Sequence, residues 1–227
     1  MSTYASTPVA CGACRAEQAV VLPESANVAR RPAYRQEVLE RSFMRFVCER
    51  CGALTTVERE LLYTDLDHGL FVLVFPRQEA AHHRRLAALA REVFRRAVLS
   101  EAPPVVARML GHLEPRLVFG WEALREKVLA NDHGLDDRVL EALKHVLLTG
   151  LPRAALEGVE DLVLVEVEPD RLAFAEVGAR IASEERPLLL TKREVYDDLA
   201  ARRALLVQSG WLSGPWVHRS LLAEAGA

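Results

Sequence analysis

Cys11-Gly12-Ala13-Cys14 and Cys48-Glu49-Arg50-Cys51 decide how the first fifty residues fold. They hold all four cysteines of the 227-residue chain, in two C-x-x-C hooks with none left over. Four thiolates can close a tetrahedral site of the kind Zn²⁺ favours. Disulfide or redox pairs and an iron–sulfur cluster are the other chemistries open to this ligand set. A site filled by four protein thiolates has no open position for a substrate. The expected cofactor is therefore one structural Zn²⁺ on Cys11, Cys14, Cys48 and Cys51. The 33 residues between the hooks exceed the usual ribbon spacing, so they must form an excursion of their own.

Outward from the hooks, residues 9–75 read as a small β-rich unit. Glu17–Leu22 and Ser42–Val47 suit strands, and Thr55–Leu62 reads as one strand leading away from the second hook. Residues 23–41, with Pro23, Pro32 and several arginines, suit a loop with one helical turn. Leu70–Phe75 is continuously apolar, as a strand buried on both faces would be. From Gln78 to Leu99 the period turns helical. Leu86, Leu89, Ala90, Val93 and Ala97 form the apolar face, and Arg84, Arg85, Arg91, Arg95 and Arg96 oppose it. Short helices are expected at 105–112, 120–131 and 136–148, the last with Asp136 and Asp137 favouring its N-terminus. Gly150-Leu151-Pro152 marks a boundary. Beyond it, 162–168 and 172–177 read as a hairpin around Pro169-Asp170, with a third strand at 188–190. Thr191 and Glu194 match a capping box opening a helix to about Val207. Trp211 and Trp216 lie in a tail that can pack back on the body.

The chain is half hydrophobic and 27% charged, with a net charge of −3. That is ordinary for a globular protein and lacks the overall basic field of most nucleic-acid binders. Residues 1–100 carry +3 and residues 101–227 carry −6. The N-terminus lacks a secretory pattern, and no apolar run is long enough to span a bilayer. The expectation is a protein of a reducing cytoplasm, without membrane contact, where cysteine pairs are metal ligands.

Several motifs agree in order and spacing with one family. The two hooks, Leu61-Leu62-Tyr63-Thr64-Asp65, the strand Leu70–Phe75, Glu126-Lys127-Val128, the stretch Gly134–Glu141 and Lys144 together resemble the bacterial CpXC domain, over roughly residues 8–148. The name-giving proline of each hook is replaced, by Gly12 and Glu49, which removes no ligand. Residues 151–227 lie outside the resemblance. It implies a fold and a metal, and names no activity.

Other chemistry is thinly supported. His82 and His83 are adjacent and diverge on a helix. His68 sits in a turn, and the other histidines are isolated, with no H-E-x-x-H. Asp132, Asp136, Asp137 and Glu141 could hold a cation or act in acid–base catalysis, but helix capping accounts for the central pair. Nucleotide-binding and nucleophile-elbow motifs are absent. The arginines of the insert, Arg30, Arg31, Arg35, Arg41, Arg45 and Arg50, have few aromatics near them for base stacking.

The resulting expectation is an α+β protein. It comprises a zinc-ribbon-like antiparallel β unit (about 8–76), a docked helical part (about 78–148) and a C-terminal α/β extension (151–227). Its expected function is that of a zinc-binding protein-interaction or regulatory module rather than an enzyme, with Arg84, Arg91 and Arg95 as the partner-binding face. A nucleic-acid-binding ribbon is the alternative, and an unrecognised hydrolase the second alternative.

Overall fold

The computed structural model describes residues 4–152, 157–177, 187–208 and 212–221. The protein is a mixed α+β chain that divides into two compact units, Met1–Arg125 and Glu126–Ala227. This boundary of compactness is distinct from the division by sequence likeness into 8–148 and 151–227. No helix among the described residues is long and apolar enough to cross a membrane.

The first unit is built around β7 (Leu70–Phe75), whose six residues are all buried. A strand that apolar has to be covered on both faces and both edges. On one edge it pairs antiparallel with β6 (Leu61–Asp65), through a tight turn ending at Gly69. On the other edge it pairs parallel with β8 (Arg116–Phe119). A short β3 (Ser25–Asn27) adds parallel to β6, so the sheet order is β3-β6-β7-β8. The alternation in β6 turns Leu61, Tyr63 and Asp65 inward. Buried Asp65 accepts from Arg35 in α1 (Ala33–Leu39) and pairs with the His68 ring at 2.8 Å.

Two separate hairpins stand beside this sheet. One is β1 (Tyr4–Ala10) with β2 (Glu17–Pro23); the other is β4 (Arg45–Val47) with β5 (Leu54–Thr56). The expected single strand Thr55–Leu62 is therefore two strands, β5 and β6, in different sheets. The break between them, Val57–Glu60, carries Glu58 and Arg59 side chains that pair outward instead of joining a ladder.

The parallel crossover from β7 to β8 carries the expected helix as three successive windings. A 3₁₀ turn at Arg77–His82 leads into α2 (His83–Phe94), and a wider π-type turn follows at Arg95–Ser100. The buried face is Leu86, Ala90, Phe94 and Val98, a strict spacing of four. Leu89 and Ala97 point to solvent, against the expectation for them. Steps of four overrun an ideal α-turn by about 40° each, and the wider last turn returns Val98 to the core side. Phe94 meets Phe71 edge-on at 5.1 Å between centroids. After α3 (Pro104–Leu110) and β8, α4 (Trp121–Asp132) contributes residues to both units.

The second unit packs α5 (Asp137–Gly150) with a three-stranded antiparallel sheet of order β11-β10-β9. These strands are β9 (Asp161–Val167), β10 (Arg171–Val177) and β11 (Leu188–Lys192). Its core joins Val139, Leu140, Leu143, Leu164, Phe174 and Tyr196. Asp136 caps α5, accepting from the Arg138 N–H at 2.8 Å, as expected. Thr191 caps no helix: it lies in the ladder opposite Leu172, and α6 (Arg193–Ala200) opens from Lys192 without a side-chain cap. α7 (Arg203–Gln208) follows. Trp216 stacks on His218 at 5.1 Å. Trp211 lies outside the described residues.

A buried charge cluster crosses this core. Lys144 reaches Glu126 at 3.0 Å and Glu141 at 2.6 Å, all three being nearly inaccessible. Glu126 also accepts from the Leu164 N–H, and Glu141 from the Arg219 N–H.

Candidate metal centre

Each hook forms the tip of one hairpin, and the two tips share one backbone design. The first cysteine donates its N–H to the carbonyl five residues on, Cys11 to Ala16 and Cys48 to Ala53, both at 2.9 Å. Its own carbonyl accepts from the residue four on, Arg15 at 3.0 Å and Gly52 at 2.8 Å. Those two residues take the left-handed conformation, with φ of 60° and 71°. The turn aims both sulfurs of a hook to one side and brings the Ala13 N–H to Cys11 Sγ at 3.4 Å.

The geometry fits a tetrahedral ion. Cys11 and Cys51 Sγ are 3.7 Å apart, and so are Cys14 and Cys48 Sγ. All four sulfurs lie within 4.8 Å of one another. A Zn–S bond of about 2.3 Å implies sulfur–sulfur edges of about 3.8 Å in a regular tetrahedron. No two cysteines are disulfide-bonded, and a bonded pair would sit at about 2.05 Å. Cys11 and Cys48 are buried, Cys14 is half-buried and Cys51 exposed, so the site is closed on its protein side. Among the described residues these cysteines are the group of three or more ligating side chains gathered closely enough to hold a metal ion.

Electrostatics separate the thiols. Backbone N–H groups of Cys14 and Ala13 hold the Cys11 thiol down to about 6. The Ala53 N–H acts the same way on Cys51, yet the sulfurs of Cys14, Cys11 and Cys48, with burial, push it up to about 12. Thiolates this close resist ionising together, and a divalent cation among them removes that resistance.

The other sequence candidates do not form a centre of their own. Asp136 caps α5 and pairs with Arg203, and Asp137 pairs with Lys127 at 3.1 Å. Glu141 belongs to the Lys144 cluster. His68 is held by Asp65 at 2.8 Å, and His218 by Asp161 and Ser220, both at 2.9 Å. Arg84, Arg91 and Arg95 are exposed on the outer side of α2 and its continuation. Arg95 is bidentate on Glu92 at 2.7 and 2.8 Å. Sequence reasoning missed the Lys144 cluster; its one local signal is the Glu141–Lys144 pair, three apart within the mostly apolar run 139–148.

No curated protein and no solved structure matches the chain. The family described as CpXC protein matches over residues 9–144, more than half of the chain and all four cysteines. With both hooks, the Leu61–Asp65 strand and the Gly134–Lys144 segment inside that span, the chain belongs to the CpXC family.

Proposed function

We propose that the protein is a zinc-dependent protein-interaction module. One structural Zn²⁺ on Cys11, Cys14, Cys48 and Cys51 clamps the two hairpins, and partners dock on the surfaces so held. The observation that carries this reading is the four-sulfur cluster itself. Its distances suit Zn²⁺, and four thiolates fill a tetrahedral shell without leaving a position for a substrate. Two exposed surfaces support a docking role. Val47 and Leu54 face each other across β4 and β5 beside the second hook, 60% and 58% exposed. On α2 and its continuation, Arg84, Arg91 and Arg95 are exposed, and Arg91 has no ion pair among the described residues.

Elemental analysis tests the metal: one zinc per chain is expected, and iron or no metal refutes the assignment. Affinity purification from the native host, with wild type beside Arg91→Glu and Arg95→Glu, tests the docking face. Loss of a partner on charge reversal supports it. Retention of every partner rejects that face.

A further inference from the structure

A cavity of about 290 Å³ opens in the first unit among Arg41, Phe43, Arg45, Arg77, Trp121 and Glu122. Its floor is aromatic. Phe43 and Trp121 meet edge to face at 5.2 Å between centroids. The Trp121 indole N–H is donated to the Val57 carbonyl at 2.8 Å, so the ring is fixed and has no donor left for a ligand. Its rim carries three guanidinium groups. Arg41 is satisfied by Glu122 at 3.0 and 3.2 Å. Arg77 is satisfied by Glu58, 3.4 Å from its Nε and 3.0 Å from its backbone N–H. Arg45 is exposed on β4 and has no acidic partner among the described residues. The cavity thus has one uncompensated cation over an apolar floor, between two arginines that are already neutralised.

The backbone around it is held in unusual conformations. Arg41 and Met44 flank Phe43 with φ of 59° and 57°. Arg41 follows the C-cap of α1, where glycine would take the left-handed conformation without strain. The chain keeps an arginine there, and its side chain forms a wall of the cavity. Gly120, next to the lining residue Trp121, has φ of +82°, and a Cβ there would lie 2.6 Å from Arg77 Nε and 3.2 Å from Glu58 Oε1, two residues that line the cavity. Strained positions of this kind concentrate at ligand clamps.

We propose that this cavity binds a small molecule with an anionic head and a flat apolar body, the head on Arg45 and the body against Trp121 and Phe43. Guanidinium groups bind carboxylate and phosphate oxygens in pairs, so either head suits Arg45. A concave, partly aromatic site with few charged groups is the usual form of a small-ligand pocket, and its volume limits the body to about one ring. Arg45 also borders a second cavity of about 350 Å³ beside Tyr4 and Arg31. There Arg31 is already occupied by Glu37 at 2.7 Å, and the fixed indole is absent. The inference is independent of the metal and of the docking face on α2.

The test uses the 227-residue chain with phenyl phosphate and benzoate as probes, and inorganic phosphate and phenol as their halves. Binding is read by calorimetry and by the Trp121 indole N–H signal, assigned by its loss in Trp121→Phe. At least one whole probe is expected to bind tenfold or more tighter than either half and to shift that signal. The ratio of phenyl phosphate to benzoate affinity identifies the head as phosphate or carboxylate. Arg45→Gln should weaken the better probe about tenfold, and Arg108→Gln, an exposed arginine outside the cavity, should leave it unchanged. Halves that bind as well as the whole, an unmoved indole signal, or equal losses in Arg45→Gln and Arg108→Gln would each overturn the proposal. The indole shift in the wild type decides the matter even if Arg45→Gln fails to fold.

Discussion

Arg15 and Gly52 occupy the same place in the two hooks, one residue past the second cysteine, and share the left-handed backbone conformation at φ of 60° and 71°. Only one of them is glycine. An L-residue with a Cβ pays a steric penalty there of about 1–2 kcal/mol. Arg15 is exposed, and a Cβ at Gly52 would meet nothing within 4 Å, so backbone strain alone decides both substitutions. Arg15→Gly should stabilise the protein by about 1 kcal/mol and Gly52→Ala should destabilise it by about as much, once the greater freedom of glycine in the unfolded chain is included. Denaturant titration of the metal-loaded protein measures both. Equal signs for the two substitutions would refute the equivalence of the hooks.

Cys48 is buried and lies 3.7 Å from Cys14 across the hooks. Structural zinc binding carries about 10–16 kcal/mol in small metal-folded peptides, so losing one ligand removes a large part of the stabilisation. Cys48→Ser should abolish stoichiometric metal and cause cooperative loss of the β signal of the first unit in circular dichroism. A strong chelator should do the same to the wild type. A Cys48→Ser protein with full metal content and unchanged melting would contradict the clamp.

Lys144 is the shared partner of two buried carboxylates, Glu126 and Glu141, and neither has solvent to turn to. Burial raises the Glu126 carboxyl against the pull of Lys144, while the two glutamates outweigh burial at Lys144 and raise it above the ordinary lysine value. Lys144→Met keeps the volume and strands both acids, at a cost of about 3–5 kcal/mol. The triple variant Lys144→Met, Glu126→Gln, Glu141→Gln should regain much of that loss. Thermal denaturation compares them, and a stable single variant would show that the cluster is not held by its charge balance.

Burial opposes ionisation of Asp161, yet its hydrogen bond to His218, the charge on Lys144 and the Arg219 guanidinium together hold its carboxyl well below the usual carboxylate range. A folded value below the unfolded one, about 3.9, gives stability that is full above that pH. The contribution is lost as pH falls through the folded value. Asp161→Asn should therefore melt lower than wild type at pH 7, and the gap should close as the pH is taken below about 4. A gap of constant size from pH 7 to pH 3 would rule out ionised Asp161 as its source.

The hooks, β7 and the N-cap Asp136 were legible in the sequence because each is a local pattern: a spacing, an apolar run, a residue type before a helix. The strand β1 was not, since Tyr4–Ala10 is a run of small and polar residues containing Pro8, tolerated because both strands of its two-stranded sheet are edges. Short β8 gains its identity from a parallel partner, Val72 against Arg116 and onward, which no local window contains. The buried face departs from the sequence period at Leu89 because the stripe runs in steps of four from Leu86, and at Ala97 because the winding widens from Arg95, where the period assumes a uniform turn. The Cys11–Cys51 pairing across the hooks could be expected as a cluster, though not with its partners. The cavity around Arg45 draws residues from Val38 to Glu122, so only the folded chain assembles it.

Forty residues separate Phe75 from Arg116. β7 therefore leaves the ribosome with β6 already made on one edge and nothing yet made for the other. At about 5–20 residues per second of synthesis, the β8 edge stays open for about 2–8 s. During that interval six consecutive apolar residues offer free backbone N–H and C=O groups to any neighbouring nascent chain. The yield of folded protein should thus depend on translation speed through the Pro76–Pro115 segment, and on chaperones that hold this strand until its partner arrives.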